Sequence, residues 1–270
     1  MLADAYDAFL FDLDGVLYRG SEVVPGAPEA IARLRDAGKH VAFVTNNSGR
    51  TPGVVAGLLN GFGIVATDNE VETSALVTAH ELAARGVNEA FVVGEEGIVS
   101  ALRDAGIALV DAGADRAETV VVGWDRQVDY EKLCRASLLV QRGATLFATN
   151  ADASYPATDG NWPGAGALLA VVETTTGVRA EVFGKPEPPI MLAALERAGG
   201  GTPLVIGDRM ETDIAGAAGL GWDSLLVLTG ITRREDLTAS RIVPTFVGDD
   251  LSALFRTVRS AVAPRGPAVC

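Results

Sequence analysis

Two aspartates separated by one residue follow a short apolar run near the N-terminus. The run is Ala8–Phe11, which is typical of a buried strand, and Asp12-Leu13-Asp14-Gly15 comes directly after it. Because side chains alternate along an extended chain, Asp12 and Asp14 are expected on one side, with Leu13 turned back into packing. Gly15 then permits a turn. Two neighbouring carboxylates repel unless a cation or hydrogen bonds intervene, so the pair suits a metal site or a nucleophile beside an acid. Taken alone, it also fits two solvated acids at a strand end.

Two further segments could bind phosphate. Thr45-Asn46-Asn47-Ser48 follows the apolar run Val41–Val44, and a hydroxyl with free main-chain N–H groups at a strand end can hold phosphate oxygens. Lys185 stands between Gly184 and Pro186, and a positioned lysine can neutralise a transferring phosphoryl group. In isolation, the first segment is an ordinary turn and the second a surface lysine.

A second acidic pair lies late in the chain. Val205-Ile206-Gly207 leads into Asp208, and Asp213 follows within the next turn of chain. Carboxylates are common Mg²⁺ ligands, although Asp213 could instead be the N-cap of a helix. Three of the four segments come just after the C-terminal ends of apolar strands, where open α/β sheets bind ligands. Together they offer carboxylates for a cation, a hydroxyl for phosphate and a lysine for charge.

The elements that must position these residues alternate between strand and helix. Continuous apolar runs separated by helical segments indicate buried parallel strands. The predicted strands are Ala8–Phe11, Val41–Val44, Phe91–Val93, Ile107–Val110, Val120–Val122, Thr145–Ala148, Leu204–Ile206 and Leu225–Leu228. The predicted helices are Pro28–Ala37, Ser74–Ala84, Gly97–Ala105, Tyr130–Arg142, Gly166–Thr176, Pro189–Ala198 and a short one from Asp213.

Length and composition bound the organisation. With 270 residues, 48% of them apolar, the chain can form one core and a smaller insertion. The stretch between Thr45 and Lys185 holds its own strands and helices but little conspicuous chemistry, as expected of a core interrupted by an inserted domain. The tail 263–270, with two prolines and a glycine, is predicted to be loosely ordered.

Charge and cysteine content exclude several classes of protein. A formal net charge of −13 argues against non-specific binding of nucleic acid or of an anionic membrane. Cys134 and Cys270 suggest no disulfide framework, and we find neither a signal peptide nor a transmembrane stretch, so a cytoplasmic location is predicted. His40 and His80 lie in a strand pattern and a helix pattern, which favours structural roles.

The motifs taken together resemble the haloacid dehalogenase-like (HAD) superfamily. Its order is Asp-x-Asp-Gly, Ser/Thr, Lys, then Gly-Asp with a further Asp. Asp-Leu-Asp-Gly-Val-Leu, Thr-Asn-Asn-Ser, Pro-Gly-Ala-Gly, Gly-Lys-Pro and Gly-Asp-Arg-x-x-Thr-Asp-Ile are similar to the NagD-like subfamily, class IIA. This resemblance implies an α/β fold: a Rossmann-like parallel core sheet of residues 1–81 and 183–262, an inserted α/β cap of the C2 type at 82–182, and the tail 263–270.

The resemblance also implies an activity, the Mg²⁺-dependent hydrolysis of a small phosphomonoester through an aspartyl-phosphate. Asp12 would be the nucleophile, and Asp14 the acid that protonates the leaving alcohol and then activates water. The Mg²⁺ ligands would be Asp12, Asp14 (through its main-chain carbonyl) and Asp208. The phosphoryl oxygens would be held by Thr45, Asn46, Asn47 and Lys185. Asp213 would orient Lys185 or support the metal ligands, and two copies of the chain could pair through the cap.

In the cap, the segment Thr149–Pro156 is our candidate for the specificity loop. Tyr155 precedes its proline and either contacts the substrate or packs the loop, and Trp162 is equally ambiguous. Residues 163–166 could direct helix N–H groups at the site or only cap a helix. The resemblance leaves glycerol phosphate, phosphoglycolate, sugar phosphates, pyridoxal phosphate and nucleotides open as substrates.

Two other functions remain as alternatives. One is a phosphomutase or phosphotransferase on the same core. The other is a non-catalytic phospho-aspartate signalling protein, such as a receiver domain, which also uses Asp, Mg²⁺, Thr and Lys. Receivers are much shorter and lack an acid two residues after the phosphorylated aspartate, so Asp14 and the long insertion count against that alternative.

Overall fold

The computed structural model describes residues 1–111, 113–157, 159–238 and 240–256. The predicted tail 263–270 and the last residues of the predicted core, 257–262, lie outside these ranges. Contacts divide the chain into two units. The first contains Met1–Val44, Ala56–Val71 and the described residues from Met191 onward, and the second contains Thr45–Val55 and Glu72–Ile190. The predicted cap boundaries at residues 82 and 182 stay a prediction.

The described strands confirm each strand predicted from an apolar run, with ends shifted by a residue or two. In chain order they are β1 Ala8–Phe11, β2 Tyr18–Arg19, β3 Glu22–Val23, β4 His40–Thr45, β5 Val71–Thr73, β6 Glu89–Val93, β7 Ala108–Leu109, β8 Thr119–Val122, β9 Thr145–Ala148, β10 Ser154–Ala157, β11 Gly160–Pro163, β12 Glu181–Val182, β13 Pro203–Gly207, β14 Asp223–Val227 and β15 Phe246–Gly248.

The helices likewise confirm the seven predicted segments and add α2. They are α1 Ala27–Asp36, α2 Pro52–Gly61, α3 Ser74–Ala84, α4 Glu96–Asp104, α5 Tyr130–Gln141, α6 Ala165–Thr176, α7 Pro188–Arg197 and α8 Ala215–Gly219. Short 3₁₀ turns cover Leu2–Ala5, Asp68–Glu70, Arg234–Thr238 and Leu251–Phe255, and a π turn covers Met210–Ile214. Helix α1 buries Ile31 and Leu34, as its periodicity predicts.

The first unit is built on a six-stranded sheet in the order β15-β14-β13-β1-β4-β5. The pairs β15/β14, β14/β13, β13/β1 and β1/β4 are parallel. From β1 the chain proceeds outward through β4 to β5, whereas from β13 it proceeds outward on the opposite side through β14 to β15. The direction therefore reverses between β1 and β13, and ligands of open α/β sheets bind outside the carboxyl ends of strands at such a reversal.

The second unit has its own parallel five-stranded sheet, in the order β12-β9-β8-β6-β7. Its strands pack against α5 and α6 through buried residues such as Val120, Leu139 and Val172. Strands β10 and β11 form a separate antiparallel hairpin. An α/β fold with a parallel core sheet and a second α/β unit is therefore confirmed.

In the part of the chain that the structure describes, every helix is too short or too polar to cross a membrane. His40 begins β4 and His80 lies on α3, and both side chains are exposed. The predicted cytoplasmic location stays a prediction.

Candidate active site

Three carboxylates meet where the sheet of the first unit reverses direction. Asp12 follows β1 and Asp208 follows β13, and the pairing of Phe11 with Ile206 places the ends of the two strands side by side. The main-chain N–H of Asp12 donates to the carbonyl of Ile206 at 2.8 Å. One carboxylate oxygen from each of Asp12, Asp208 and Asp213 lies within 4.8 Å of the other two. Such a cluster of oxygen donors fits a hard cation such as Mg²⁺.

Asp208 is held in a fixed orientation beside two glycines. Its Oδ2 atom accepts a hydrogen bond from the main-chain N–H of Ile231 at 2.6 Å, and the residue is 1% exposed. A β carbon on Gly15, whose φ is +82°, would lie 2.5 Å from the same oxygen. A β carbon on Gly230 would overlap the Asp208 side chain as well. Both positions must therefore lack a side chain for Asp208 to reach the cluster.

Asp213 reaches the cluster because of the π turn Met210–Ile214. The wider turn is closed by a bond from the N–H of Ile214 to the carbonyl of Arg209, at 3.2 Å. Asp213 Oδ2 accepts from the main-chain N–H of Arg209, also at 3.2 Å. A β carbon on Gly207 would overlap Asp213, so that glycine leaves the space. The alternative prediction that Asp213 is an N-cap is wrong, because the N-cap residue of the π turn is Arg209 and that of α8 is Ile214.

Asp14 has surroundings of its own. Strand β1 ends at Phe11, so Asp12 and Asp14 both follow the strand, and Leu13 is buried as predicted. That the two aspartate side chains face the same side stays a prediction. The hydroxyl of Tyr18 lies 3.4 Å from Asp14 Oδ2, and the N–H of Gly15 donates to the carbonyl of Tyr18 at 2.7 Å. The Asp14 carboxylate is not one of the three clustered groups. Its main-chain carbonyl as a metal ligand stays a prediction.

In the second unit, the segment after β4 is a turn shaped by its own side chains. Thr45 Oγ1 accepts from the N–H of Asn47 at 3.1 Å, and Asn47 Oδ1 accepts from the N–H of Gly49 at 2.9 Å. Ser48 Oγ accepts from the N–H of Trp124 at 2.9 Å, which ties the turn to the end of β8. Thr45 and Ser48 are buried.

Lys185 is also buried in the second unit, at 4% exposure, and its main chain contacts the side chain of Asn46. The structure thus brings Lys185 and Asn46 together in one unit. It places Asp12, Asp208 and Asp213 together in the other unit. The part each residue plays in binding or catalysis stays a proposal.

The candidate specificity segment Thr149–Pro156 ends in the first strand of a hairpin. Ser154–Ala157 pairs with Gly160–Pro163, which sets Tyr155 opposite Trp162. The Tyr155 ring lies 4.4 Å from the ring of Trp124, at an angle of 31° to it, and the Arg126 guanidinium lies over the Trp124 ring at 5.0 Å. Tyr155 is therefore packed by an aromatic neighbour. Trp162 is 42% exposed, and its indole N–H donates to Asp159 at 2.8 Å.

The start of α6 supports this hairpin segment. The N–H of Gly164 donates to the carbonyl of Ala153 at 3.1 Å, and the N–H of Gly166 donates to the carbonyl of Asp152 at 2.9 Å. Gly164 is the N-cap residue of the helix. Of the two predicted roles for residues 163–166, the geometry favours the structural one, because these N–H groups bind main-chain carbonyls.

A cleft of about 930 Å³ lies at the carboxyl ends of β6 and β8, with Glu95, Asp125, Lys132 and Trp162 in its lining. The Asp125 carboxylate is buried and accepts from Lys132 Nζ at 2.5 Å. Glu95 and Arg126 form a two-point ion pair, at 2.7 and 2.8 Å. Burial alone would raise the pKa of Glu95, but hydrogen bonds from the Arg126 side chain and main chain outweigh it and lower that pKa.

The parallel sheet and its carboxylate cluster define an α/β protein with a hard-cation site at the point where strand order reverses. The family model of the haloacid dehalogenase-like hydrolases matches residues 9–108, and a model of HAD-like hydrolases matches residues 182–254. The 5'-nucleotidase YutF of Bacillus subtilis is 40% identical over 92% of this chain and 96% of its own. The acid sugar phosphatase of Staphylococcus aureus strain USA300 has the same identity and coverage.

Solved structures agree. The glycerol phosphate phosphatase of Mycobacterium tuberculosis, crystallised with magnesium, superposes with a TM-score of 0.89 at 35% identity, covering 94% of this chain and 77% of that one. The 4-nitrophenylphosphatase of Thermotoga maritima gives 0.88 at 31% identity, over 94% and 98%. The chain belongs to the haloacid dehalogenase-like hydrolase family, in its class IIA, NagD-like phosphatase branch.

Sequence reasoning assigned no individual role to several residues that shape these sites, although Asp152 lies within the candidate specificity segment. Trp124 and Asp152 both come shortly after apolar strands, β8 and β9. A position shortly after an apolar strand is the signal that identified Asp12 and Asp208, and it could also have identified Trp124 and Asp152. Tyr18 and Gly230 carry no comparable signal, because their roles depend on long-range packing.

Proposed function

We propose that this protein is a Mg²⁺-dependent phosphomonoester hydrolase that acts on a small phosphorylated metabolite through an aspartyl-phosphate on Asp12. The observation that carries the proposal is the cluster of Asp12, Asp208 and Asp213 at the reversal of strand order. Family membership supports the hydrolytic class, and the acid two residues after Asp12 supports phosphate esters as substrates.

The reaction has two displacements. An oxygen of Asp12 attacks phosphorus, the bond from phosphorus to the ester oxygen breaks, and Asp14 donates a proton to the departing alcohol. Water then attacks the phosphorus of the aspartyl-phosphate and gives its proton to Asp14, and Asp12 and inorganic phosphate are released. Splitting the hydrolysis in this way replaces one difficult step with two easier ones.

Mg²⁺ would be held by the carboxylates of Asp12 and Asp208 and by the Asp14 carbonyl. Bound there, it supplies positive charge to the transferring phosphoryl group. Asp213 also fits this role, since its carboxylate lies in the same cluster and is fixed by the Arg209 N–H.

The phosphoryl oxygens are assigned to the second unit's residues Thr45, Asn46, Asn47 and Lys185. The attraction between the Lys185 ammonium and the phosphoryl group strengthens as negative charge develops in the transition state. A charge that is already in place therefore lowers the activation barrier. The Asn46 side chain binds the main chain of Lys185, so Asn46 would bind phosphate through its own main-chain N–H.

We propose small three-carbon or sugar phosphates as the substrate class, with Tyr155 contacting the alcohol part. The names of the acid sugar phosphatase and of the glycerol phosphate phosphatase support this choice, and the equally similar 5'-nucleotidase makes nucleoside monophosphates the competing class in the test. The absence of nucleic-acid and membrane partners, and the pairing of two copies through the cap, stay predictions from the sequence.

The test is phosphate release from a panel of small phosphomonoesters, with Mg²⁺ and with chelator, comparing wild type with Asp12→Asn. We expect Mg²⁺-dependent release that the variant loses, and the fastest ester identifies the substrate class. If no ester in the panel is hydrolysed, p-nitrophenyl phosphate included, the proposal is wrong.

A second arm tests Asp14 and the phosphotransferase alternative. Asp14→Asn should slow release from alkyl phosphates much more than the first step with p-nitrophenyl phosphate, whose leaving group needs no proton. Turnover in ¹⁸O-labelled water should place one label in each inorganic phosphate. A mutase or phosphotransferase would instead deliver the phosphoryl group to a second hydroxyl, without label.

A further inference from the structure

The side chain of Asn46 holds the main chain of Lys185 at two points. Asn46 Oδ1 accepts from the N–H of Lys185 at 2.8 Å, and Asn46 Nδ2 donates to the carbonyl of Lys185 at 3.0 Å. Both residues are buried, at 8% and 4% exposure. One hydrogen bond leaves rotation about its axis free, whereas a donor and an acceptor on one rigid amide fix both distance and orientation.

Asp152 determines which way this amide faces. Asn46 Nδ2 also donates to both carboxylate oxygens of Asp152, at 3.2 and 3.1 Å. If the amide were turned over, its oxygen would face the Asp152 carboxylate and the Lys185 carbonyl, and its N–H groups would face the Lys185 N–H. The network therefore assigns the amide orientation without ambiguity.

Asn46 and Asp152 are both anchored by other elements of the same unit. The carbonyl of Asn46 accepts from Ser74 Oγ and from Asn150 Nδ2, each at 2.6 Å. The carbonyl of Asp152 accepts from Gly166 at the start of α6, at 2.9 Å. Asn46 is thus a fixed point for Lys185.

We propose that Asn46 is a positioning residue for Lys185, and that Asp152 acts by orienting the Asn46 amide. The proposal rests on the phosphatase function and deepens it. The lysine ammonium is a point charge on a flexible stem, so its placement depends on where the stem begins. A displacement of about 1 Å at a reacting centre can cost on the order of 100-fold in rate.

The test is a double-mutant cycle between Asn46→Ala and Lys185→Met. Hydrolysis of the fastest ester is measured as kcat/KM, and inorganic phosphate binding is measured by calorimetry for variants that turn over too slowly. Asn46→Ala should lower kcat/KM by about 10- to 100-fold when Lys185 is present. It should cost little more when Lys185 is already replaced, because the two residues act as one unit.

Equal losses in both backgrounds would overturn the proposal, since Asn46 would then act independently of Lys185. Thr78→Val is the matched control: it removes a buried hydrogen bond to the Ser74 carbonyl, at 2.6 Å, and that bond involves neither Asn46 nor Lys185. We expect it to lower thermal stability while leaving the phosphate affinity unchanged. A phosphate affinity that falls as much in Thr78→Val as in Asn46→Ala would point to general loosening and would also overturn the proposal.

A charge-swap pair gives a milder second test. Asn46→Asp retains the acceptor for the Lys185 N–H but sets a carboxylate against Asp152, so kcat/KM should fall. Adding Asp152→Asn restores a donor between the two side chains and the original net charge, and it should recover part of the loss. No recovery would count against the orienting role of Asp152. Inactive wild-type protein would instead be a failure of the phosphatase function itself.

Discussion

The side chain of Asp208 occupies space that Gly230 leaves open. A β carbon on Gly230 would overlap the Asp208 carboxylate, and this glycine is not in the left-handed region of φ, so only space requires it. The next N–H along the chain, from Ile231, donates to Asp208 Oδ2 at 2.6 Å. The segment after β14 therefore shapes and holds a carboxylate that follows β13.

We expect Gly230→Ala to weaken Mg²⁺ activation by about 10- to 100-fold, the loss typical of a displaced supporting contact at a metal site. The Mg²⁺ dependence of ester hydrolysis measures it. Gly219→Ala, at the end of α8 with nothing near its β carbon, is the control and should keep full activation. Unchanged activation in Gly230→Ala would mean that Asp208 does not bind the cation.

Mg²⁺ should raise the thermal stability of the wild type but not that of Asp208→Asn. A ligand at about 100 times its Kd adds about 2.7 kcal/mol to the free energy of unfolding. In chelator, Asp208→Asn should instead be more stable than the wild type. The three carboxylate oxygens lie within 4.8 Å of one another and repel, and the variant removes one of these charges. Melting curves in Mg²⁺ and in chelator measure both effects. A wild type that gains nothing from Mg²⁺ would contradict a metal site at this cluster.

The neighbouring rings of Trp124 and Tyr155 should be energetically coupled. Such aromatic pairs contribute about 0.5–1.5 kcal/mol beyond buried area, so a cycle of Trp124→Leu and Tyr155→Leu should yield that coupling in urea unfolding. Tyr155→Phe retains the ring and should preserve this coupling. If Tyr155→Phe nevertheless raises KM for the best ester, the hydroxyl contacts substrate. A coupling near zero would mean that the contact between the two rings contributes no stability of its own.

Glu95→Gln should destabilise the protein at neutral pH but not in acid. Hydrogen bonds from Arg126 lower the pKa of Glu95 below its ordinary value of 4.5, despite the opposing effect of burial. A carboxylate whose pKa is lowered by folding stabilises the folded protein above its ordinary pKa. This stabilisation is lost as the pH falls through the lowered pKa of the folded state. The stability difference between variant and wild type should therefore shrink below pH 4.5. The exposed neighbour Glu96, changed to Gln, is the control. A difference that is constant with pH would contradict the ion pair.

The strands and helices were largely predictable because most buried strands are continuous apolar runs. Strand β5 is buried but contains Glu72 and Thr73, so it lacks that pattern. Missed elements lack that signal. The β10/β11 hairpin is half-exposed and contains Gly160 and Pro163, and α2 contains several glycines. Their conformations depend on neighbours distant in sequence.

The candidate site was predictable only in part. Asp12 and Asp208 follow apolar strands, which the pattern reveals. Asp213 was also a candidate from the sequence, but the π turn that brings it to the cluster is a rare conformation with no sequence signature. The link from Asn46 to Lys185 joins residues 139 positions apart, so local spacing carries no information about it.

The pairing of β1 with β13 has a consequence for biosynthesis. Phe9 pairs with Leu204, so one edge of this strand lacks its neighbour until most of the chain has left the ribosome. Long-range parallel pairing is intrinsically slow, and unpaired apolar edges invite aggregation while they wait. For most of translation, β1 therefore lacks its neighbour β13, although β1 is fully buried in the folded protein. We infer that chaperone demand and expression yield will be more sensitive to changes in β13 than to equal changes in β15.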